Sequence, residues 1–298
     1  RGKICWGKPL GQLLAGEKTL PDFEHNLPEF DSALAWILRR AGDTDLYFVS
    51  NQRERMEDYQ VVFRVQGKEA ELWHPDSGFI EPASYQTVHG RTSVPIHLDP
   101  YGSVFVVFRR AAAAGRTLPR PVFSELATLQ GAWEVSFPPG RGAPPRITLD
   151  RLVSWTQRQE DGVKYFSGTA TYTKQIEAPA GWFQPGTKLL LDLGRVKEMA
   201  EVFVNGQPAG GILWKPPFQA EVTAALKPGH NRLEVRVVNL WPNRIIGDEQ
   251  PKATNRHAWL APNHKPFTAQ SPLLESGLLG PVRLLRAGPR RRGDAVVV

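Results

Sequence analysis

From Asp45 onward, hydrophobic and polar residues alternate with a period of two along most of the chain. This alternation is typical of β-strands that bury one face. The first predicted strands cover residues 46–51, 59–67, 70–78, 84–90, 93–102 and 103–110. Turn-forming pairs such as Gly67-Lys68 separate them. Short strands at this spacing predict an antiparallel β-sandwich over residues 45–112.

A second series of strands follows a low-complexity stretch, and we expect a linker over residues 113–124. The predicted strands cover residues 133–137, 167–178, 188–194, 199–211, 217–226, 231–240 and 281–287. Asn205-Gly206 is a strong hairpin signal, because a type I′ turn needs positive φ at both central residues. We therefore expect a jelly-roll-like sandwich over 125–287, with long loops at 138–166 and 241–275 and no helix of consequence.

Before the first sandwich, residues 31–40 carry Leu34, Ile37 and Leu38 at helical spacing behind a candidate N-cap. This spacing predicts one short amphipathic helix within a transitional segment, residues 1–44. The chain opens without Met or a signal peptide, so we expect a portion of a longer protein. The predicted fold class is all-β, with two antiparallel β-sandwich domains and one short N-terminal helix.

Length and composition narrow the classes of function. A chain of 298 residues can form two medium domains, and its 41% hydrophobic content is ordinary for a globular protein. No apolar run reaches the roughly 18 residues of a membrane span, so no membrane partner is expected. Lys and Arg (37) exceed Asp and Glu (30) by seven, but they are scattered. Residues 288–298 are expected to form a basic disordered tail, and no nucleic-acid partner is predicted.

The usual catalytic and metal-binding motifs do not occur in the sequence. The single cysteine, Cys5, excludes an intrachain disulfide and a multi-Cys metal site. His257 and His264 have no closely spaced Asp, Glu or Cys to complete a ligand set, so no metal site is predicted. Nucleophile, phosphate-loop and dinucleotide motifs are likewise missing.

Residues suited to binding a sugar concentrate after the predicted strand that ends at Leu240. Sugar rings stack their C–H faces on tryptophan, and their hydroxyl groups need hydrogen-bond donors and acceptors. Aromatic, amide, guanidinium and carboxylate groups in loops at the end of a sandwich provide both. The candidate sugar-binding residues are Trp214, Trp241, Asn243, Arg244, Asp248, Glu249, His257 and Trp259. Loop tryptophans also serve as packing residues, and that alternative stays open.

Three carboxylates are candidates for acid–base chemistry: Asp248, Glu249 and Glu275. Glycoside hydrolysis needs two carboxyl groups about 5–10 Å apart. Asp248 and Glu249 are adjacent, and neighbours on an extended loop point to opposite sides, which argues against them as a couple. The alternative is structural, with this pair holding Arg244 or accepting hydrogen bonds from backbone N–H groups.

Residues 165–179, 189–249 and 276–285 together resemble the sugar-binding domain of glycoside hydrolase family 2. The version they resemble lies at the C-terminal end of α-L-rhamnosidase-like proteins of glycoside hydrolase family 106. Residues 46–108 resemble the β-sandwich that precedes this domain in the same proteins. The resemblance implies that the second domain is a galactose-binding-like jelly roll.

In the resembled enzymes, catalysis belongs to a (β/α)₈ barrel that supplies two acidic residues. No stretch of this sequence resembles that barrel. The loop 243–249 corresponds to a family 2 loop that reaches toward the active site, which implies that Asn243, Asp248 and Glu249 contact sugar without cleaving bonds. Some related modules bind sugar through Ca²⁺. No dense Asp/Asn run demands it here, so no cofactor is predicted and Ca²⁺ is left open.

We therefore expect a carbohydrate-binding, accessory portion of a secreted or periplasmic rhamnosidase-like glycoside hydrolase. Its expected partners are an oligo- or polysaccharide and the catalytic barrel of a parent enzyme. One alternative is a stand-alone glycosidase or polysaccharide-cleaving enzyme that uses the loop carboxylates. The other is a purely architectural or dimerisation module. Whether the chain is an enzyme by itself is left open.

Overall fold

The computed structural model describes residues 4–112, 115–119, 121–253, 256–258 and 265–289. The chain divides into two compact units, residues 1–119 and 120–298, which we call unit 1 and unit 2. Every paired strand in the described parts of both units runs antiparallel to its neighbour. The predicted all-β fold of antiparallel sandwiches is confirmed.

Unit 1 contains one short helix and nine strands among its described residues. They are α1 (Leu10–Gly16), β1 (Phe23–His25), β2 (Leu34–Ala41), β3 (Thr44–Asn51), β4 (Glu57–Phe63), β5 (Glu71–Trp73), β6 (Ile80–Pro82), β7 (Gln86–Val88), β8 (Arg91–Leu98) and β9 (Ser103–Phe108). One sheet has the order β1-β4-β8-β7, and the other has the order β2-β3-β9-β5-β6.

Alternation along the strands builds the core of unit 1. Tyr59, Val61 and Phe63 are buried on β4, while the residues between them face outward. Phe63 packs against Tyr47 with ring centroids 4.7 Å apart, and against Phe108 at 5.2 Å, in edge-on geometries. Such arrangements are favoured by the aromatic quadrupole. The period of two therefore marks the buried face, as predicted.

The helix predicted over residues 31–40 is wrong, because this segment forms the strand β2. Leu34 and Leu38 are four residues apart, and that spacing fits both one helical turn and two strand repeats. Pairing with β3 decides between them, since β2 is in register with β3 from Leu34 opposite Asn51 to Ala41 opposite Thr44. The short helix of unit 1 is α1 instead, and it buries none of its side chains.

Unit 2 contains twelve strands and two short α-helices among its described residues. They are β10 (Pro121–Thr128), β11 (Trp133–Ser136), β12 (Arg146–Leu149), α2 (Asp161–Lys164), β13 (Thr169–Ala178), β14 (Lys188–Asp192), β15 (Arg195–Lys197), β16 (Met199–Val204), β17 (Gln207–Leu213), β18 (Gln219–Glu221), β19 (Gly229–Val238), α3 (Pro242–Asp248), β20 (Gly277–Gly280) and β21 (Arg283–Pro289). A 3₁₀ turn, Trp155–Gln157, precedes α2.

These strands form a four-stranded sheet, β10-β21-β14-β18, and a six-stranded sheet, β12-β11-β13-β19-β16-β17. A two-stranded ribbon, β15-β20, accompanies them. The segment 138–166 is not one long loop, as predicted, because it contains β12, the 3₁₀ turn and α2. Of the predicted tail, residues 290–298 lie outside the described residues.

The hairpin predicted at Asn205-Gly206 is confirmed. Val204 pairs with Gln207 across the turn, and φ is 53° at Asn205 and 82° at Gly206. The Asn205 side chain also donates hydrogen bonds to Asn231 Oδ1 (2.8 Å) and to the Ala225 carbonyl (3.0 Å). These bonds fix the end of the six-stranded sheet that lies opposite the candidate site.

Candidate functional site

Strand register brings several loops of unit 2 to one end of the six-stranded sheet. Val238, the last residue of β19, pairs with Met199 at the start of β16 and with Thr169 at the start of β13. On the edge strand, Leu213 ends β17 opposite Ala200, one residue further along β16. The chain therefore leaves β17 and β19 at the same end of the sheet.

The hairpin that joins β11 to β12 lies at this end too, because Ser136 pairs with Arg146 and with Thr171. We call this end of the sheet the rim. It comprises residues 137–145, 165–168, 214–217 and 239–249, together with residues 256–258, which bind to α3. The rim holds seven of the eight predicted sugar-binding residues, and the eighth, Trp259, lies outside the described residues.

The first part of the loop predicted at 241–275 is the helix α3. The N–H groups of Arg244 and Ile245 donate to the Trp241 carbonyl at 3.0 and 3.3 Å. Pro242 occupies the first turn, where a backbone N–H would have no hydrogen-bond partner within the helix. The extended loop expected here is therefore wrong, because residues 242–248 form a helix. Arg244 and Asp248 are four residues apart on a helix, so their side chains meet on one face.

Arg244 and Asp248 form a buried ion pair, with 2.8 Å between Arg244 Nη2 and Asp248 Oδ1. Their side chains are 9% and 5% exposed. The other carboxylate oxygen, Oδ2, accepts the backbone N–H groups of His257 (2.9 Å) and Ala258 (2.7 Å). Asp248 thus fastens residues 256–258 to α3. This arrangement is the structural alternative raised for Asp248.

Two glycines allow the Arg244 guanidinium to lie against backbone. A Cβ atom on Gly142, where φ is +84°, would come within 3.5 Å of Arg244 Nη1 and 3.0 Å of His257 Nε2. A Cβ on Gly247 would lie 2.6 Å from Arg244 Nη2 and 2.5 Å from the Tyr165 side chain. Arg244 Nε has no hydrogen-bond partner among the described residues. The guanidinium therefore has close neighbours but retains an unused donor.

Asn243 is buried and uses its amide within the fold. Its Nδ2 donates to the Leu274 carbonyl (2.7 Å) and to Ser276 Oγ (2.9 Å), and its Oδ1 accepts the Leu274 N–H (2.8 Å). Asn239 adds bonds to Ser276 Oγ (3.1 Å) and to the Phe166 carbonyl (2.9 Å). These amides tie residues 274–276 to the ends of β13 and β19. Asn239 and Ser276 were not predicted as site residues, although an Asn at the end of a strand is itself an indication of such a structural role.

Two indole rings at the rim are open to solvent. Trp241 is 55% exposed and Trp214 is 56% exposed. They follow β19 and β17, which are separated by β16, so the ends of these two strands are about 10 Å apart. Lys215 Nζ lies 5.5 Å from the centroid of the Trp214 ring. An exposed indole face is the kind of surface on which a sugar ring stacks.

The remaining carboxylates each have a cationic neighbour. Glu249 Oε1 lies 3.8 Å from Arg256 Nη2, and its Oε2 lies 3.6 Å from Lys265 Nζ. Glu275, at the end of the segment that Asn243 holds, pairs with Arg195 of β15. With Asp248 paired to Arg244, all three candidate acid–base residues have a cationic partner.

A buried tyrosine supports the segment beneath the rim. The Tyr172 hydroxyl accepts hydrogen bonds from Trp155 Nε1 (2.6 Å) and from the Leu278 N–H (3.0 Å). Burial raises the pKa of Tyr172 well above its usual value, so its proton is retained at any working pH. Gly277 passes so close that a Cβ there would lie 2.6 Å from the hydroxyl oxygen. This contact sets the path of the chain from Glu275 into β20.

Within the described parts of the chain, no three His, Cys, Asp or Glu side chains are grouped as metal ligands would be. None of the helices described is both long and apolar enough to span a membrane.

Comparison with known proteins shows similarity to glycoside hydrolases. Residues 1–87 match the glycoside hydrolase family 106, described as alpha-L-rhamnosidase. The chain is also similar to the solved structure of a rhamnosidase from Novosphingobium sp. PP1Y, with a TM-score of 0.84 and 42% identity. That similarity covers 93% of this chain and 26% of the rhamnosidase.

A curated relative is the putative beta-glucuronidase of Formosa agariphila, which is 39% identical over 194 residues. The match covers 58% of this chain and 16% of that protein. The chain thus spans about a quarter of the rhamnosidase and about a sixth of the putative glucuronidase. The predicted resemblance to rhamnosidase-like glycoside hydrolases is confirmed.

Proposed function

We propose that this chain is a carbohydrate-binding, accessory region of a rhamnosidase-like glycoside hydrolase. The rim of unit 2 binds an oligo- or polysaccharide, and Trp241 and Trp214 stack on its sugar rings. One observation carries the proposal: two indole faces, each more than half exposed, share one end of a sheet in a chain that resembles glycan-processing enzymes.

The other rim residues have two kinds of role in this proposal. Glu249 and His257 are partly exposed at the rim, where a carboxylate and an imidazole can accept and donate hydrogen bonds to hydroxyl groups. Asn243, Arg244 and Asp248 are buried and hold the rim in shape. Their predicted contact with sugar becomes indirect, through the loop segments that they bind.

The finer features of the prediction belong to the same proposal. Unit 2 is proposed to be a galactose-binding-like jelly roll, and the second partner is proposed to be the catalytic barrel of a parent enzyme. Secretion or a periplasmic location follows from the polymeric glycans on which such an enzyme would act. The relatives' printed activities, rhamnosidase and putative beta-glucuronidase, indicate which sugars to test first.

The partners of the three candidate carboxylates favour glycan binding over glycan cleavage. A glycosidase needs one carboxyl group as proton donor and a second as base or nucleophile. Asp248 is buried, with Oδ1 ion-paired to Arg244 and Oδ2 accepting backbone N–H groups, while Glu249 and Glu275 each lie beside a cation. Replacing each carboxylate with its amide and assaying aryl glycosides tests this alternative, and loss of a measurable activity would support it.

Calorimetric titration of this chain with rhamnose-containing and glucuronate-containing oligosaccharides tests the proposal. Isolated sugar modules bind weakly, so a dissociation constant in the range of about a micromolar to a millimolar is expected. Trp241→Ala should weaken binding about tenfold, because it removes the stacking surface. Leu240→Ala is the matched control, since Leu240 is adjacent and 50% exposed but has no ring. Equal affinity in both variants, or no heat with any glycan, would remove the proposal.

A further inference from the structure

Unit 1 contains a pocket of about 380 Å³, and none of the rim residues line it. We propose that this pocket is a second sugar-binding site, specific for a neutral sugar residue. The proposal goes beyond the proposed function, because it concerns unit 1 and rests on different side chains. A volume near 400 Å³ is within the range of small-ligand pockets.

The pocket is formed where β5, β6 and the end of β9 meet. Glu71 begins β5 and pairs with Pro82 of β6 and with Val107 of β9. Arg109 and Arg110 follow directly after β9. Two further lining residues, Glu69 and Arg116, come from the segments that precede β5 and follow β9. Strands therefore carry Glu71 and Glu81, and the other polar groups lie in the segments that precede β5 and follow β9.

One oxygen of each of two carboxylates is held firmly by protein. Glu71 Oε2 accepts hydrogen bonds from Trp73 Nε1 and Arg109 Nε, both at 2.9 Å. Glu69 Oε2 accepts one from Arg116 Nη2 at 2.7 Å. The Glu71 side chain is only 7% exposed, so its orientation is fixed by packing as well as by these bonds. These hydrogen bonds position both carboxylates at the pocket.

The second oxygen of each carboxylate is available. Arg110 Nη1 lies 3.6 Å from Glu69 Oε1 and 3.6 Å from Glu71 Oε1, which is beyond hydrogen-bonding distance. Among the described residues, no hydrogen bond reaches either oxygen. The result is an acceptor–donor–acceptor array. Neighbouring hydroxyl groups of a sugar fit such an array, since each can donate to a carboxylate and accept from the guanidinium.

Charge balance argues for a neutral ligand. The three carboxylates at the pocket, Glu69, Glu71 and Glu81, are matched by three guanidinium groups. Burial alone would raise the pKa of Glu71, but the hydrogen bonds from Trp73 and Arg109 outweigh it and leave the pKa below its usual 4.5. The carboxylate is therefore a charged acceptor at neutral pH. An anionic sugar would meet these carboxylates without a compensating excess of cations.

An apolar wall completes the pocket. Ile80 and Pro82 line it, and Ile80 is about half exposed. Phe79, the neighbour of Ile80, is more exposed still. A sugar has apolar C–H faces as well as hydroxyl groups, so a wall of this kind beside a polar array suits a sugar better than it suits an inorganic ion.

The test uses saturation-transfer NMR and calorimetry on the whole chain, with L-rhamnose as the neutral probe and D-glucuronate as the charged one. Arg110→Ala removes the central donor, and Glu69→Gln changes one acceptor. Arg40→Ala is the matched control, because Arg40 is also 64% exposed and ion-paired but lies on β2, the opposite edge strand of the same sheet. Arg110 is a surface residue with long contacts, so melting of Arg110→Ala should match wild type.

We expect Arg110→Ala and Glu69→Gln to weaken rhamnose binding to unit 1 about three- to tenfold, and Arg40→Ala to leave it unchanged. Glucuronate should bind this pocket more weakly than rhamnose. Rhamnose binding that persists in Trp241→Ala but falls in Arg110→Ala supports the inference, whatever becomes of the rim. Binding that falls only in Trp241→Ala overturns the inference and leaves the proposed function standing. Absence of any rhamnose signal, or equal affinity in Arg110→Ala and Arg40→Ala, also overturns it.

Discussion

At the scale of single residues, the rim separates side chains that contact solvent from side chains that hold the structure. Trp214 and Trp241 are open, while Asn243 and Asp248 are buried and form hydrogen bonds within the fold. Seven of the eight residues that the sequence singles out lie at the rim. The sequence could not assign their roles, because an amide or carboxylate has the same chemistry whether its partner is a sugar hydroxyl or a backbone N–H. Whether a side chain is buried decides its role, and for Asn243 and Asp248 burial depends on the helix α3.

Replacing Asp248 with Asn tests its structural role. The substitution removes the charge that compensates buried Arg244, and breaking one side of a buried pair costs about 3 kcal/mol of unfolding free energy. Chemical denaturation measures this loss. Glu249→Gln is the control, since its cations lie 3.6 Å away or further and its loss should be below about 1 kcal/mol. Equal stability of the two variants would show that Asp248 does not hold the rim.

At the scale of elements, two segments differ from prediction for identifiable reasons. Residues 34–41 form β2 and not a helix, because a four-residue spacing of leucines fits both structures and pairing with β3 decides between them. The helix α3 was missed because a seven-residue helix offers too short a window for periodicity, and its Pro242 resembles a turn signal. Long alternating strands such as β13 and β19 left no such ambiguity, and they were predicted well.

The seating of α3 against Tyr165 gives a prediction at this scale. Gly247→Ala would place a Cβ 2.5 Å from the Tyr165 side chain, so α3 must move outward and the rim must shift with it. We expect a loss of about 1–3 kcal/mol in unfolding free energy, measured by denaturation, and weaker glycan binding. Gly181→Ala is the control, because nothing lies within 4 Å of its Cβ position. A Gly247→Ala variant as stable as Gly181→Ala would contradict this packing.

At the scale of the whole molecule, alternation and turn signals were enough to predict an all-β chain of antiparallel sheets. Which strands become neighbours could not be predicted, since β5 pairs with β9 and β10 pairs with β21, partners that are distant in sequence. Distant pairing depends on how the inward faces fit together in three dimensions. The grouping of loops at the rim could not be predicted for the same reason, because these loops come together through the pairing of β13, β16 and β19.

Acid should destabilise unit 1. Burial alone would raise the pKa values of Asp45 and Glu57, but hydrogen bonds and nearby cations outweigh it and leave both below their usual 3.8 and 4.5. A carboxylate with a lowered native pKa stabilises the fold above its unfolded pKa, and this stability is lost as pH falls through the native value. The melting temperature should therefore be nearly constant from pH 7 to about 5 and fall below about 4. A rise on acidification would mean that burial dominates.

The central claim is that exposed indole rings at the rim bind glycan. The most direct measurement is the NMR spectrum of the tryptophan Nε1–H groups during titration with a rhamnose-containing oligosaccharide. We expect the resonances of Trp241 and Trp214 to shift progressively and saturate, while those of buried Trp133 and Trp155 stay in place. If saturating oligosaccharide leaves the Trp241 and Trp214 resonances unmoved, these rings do not bind glycan.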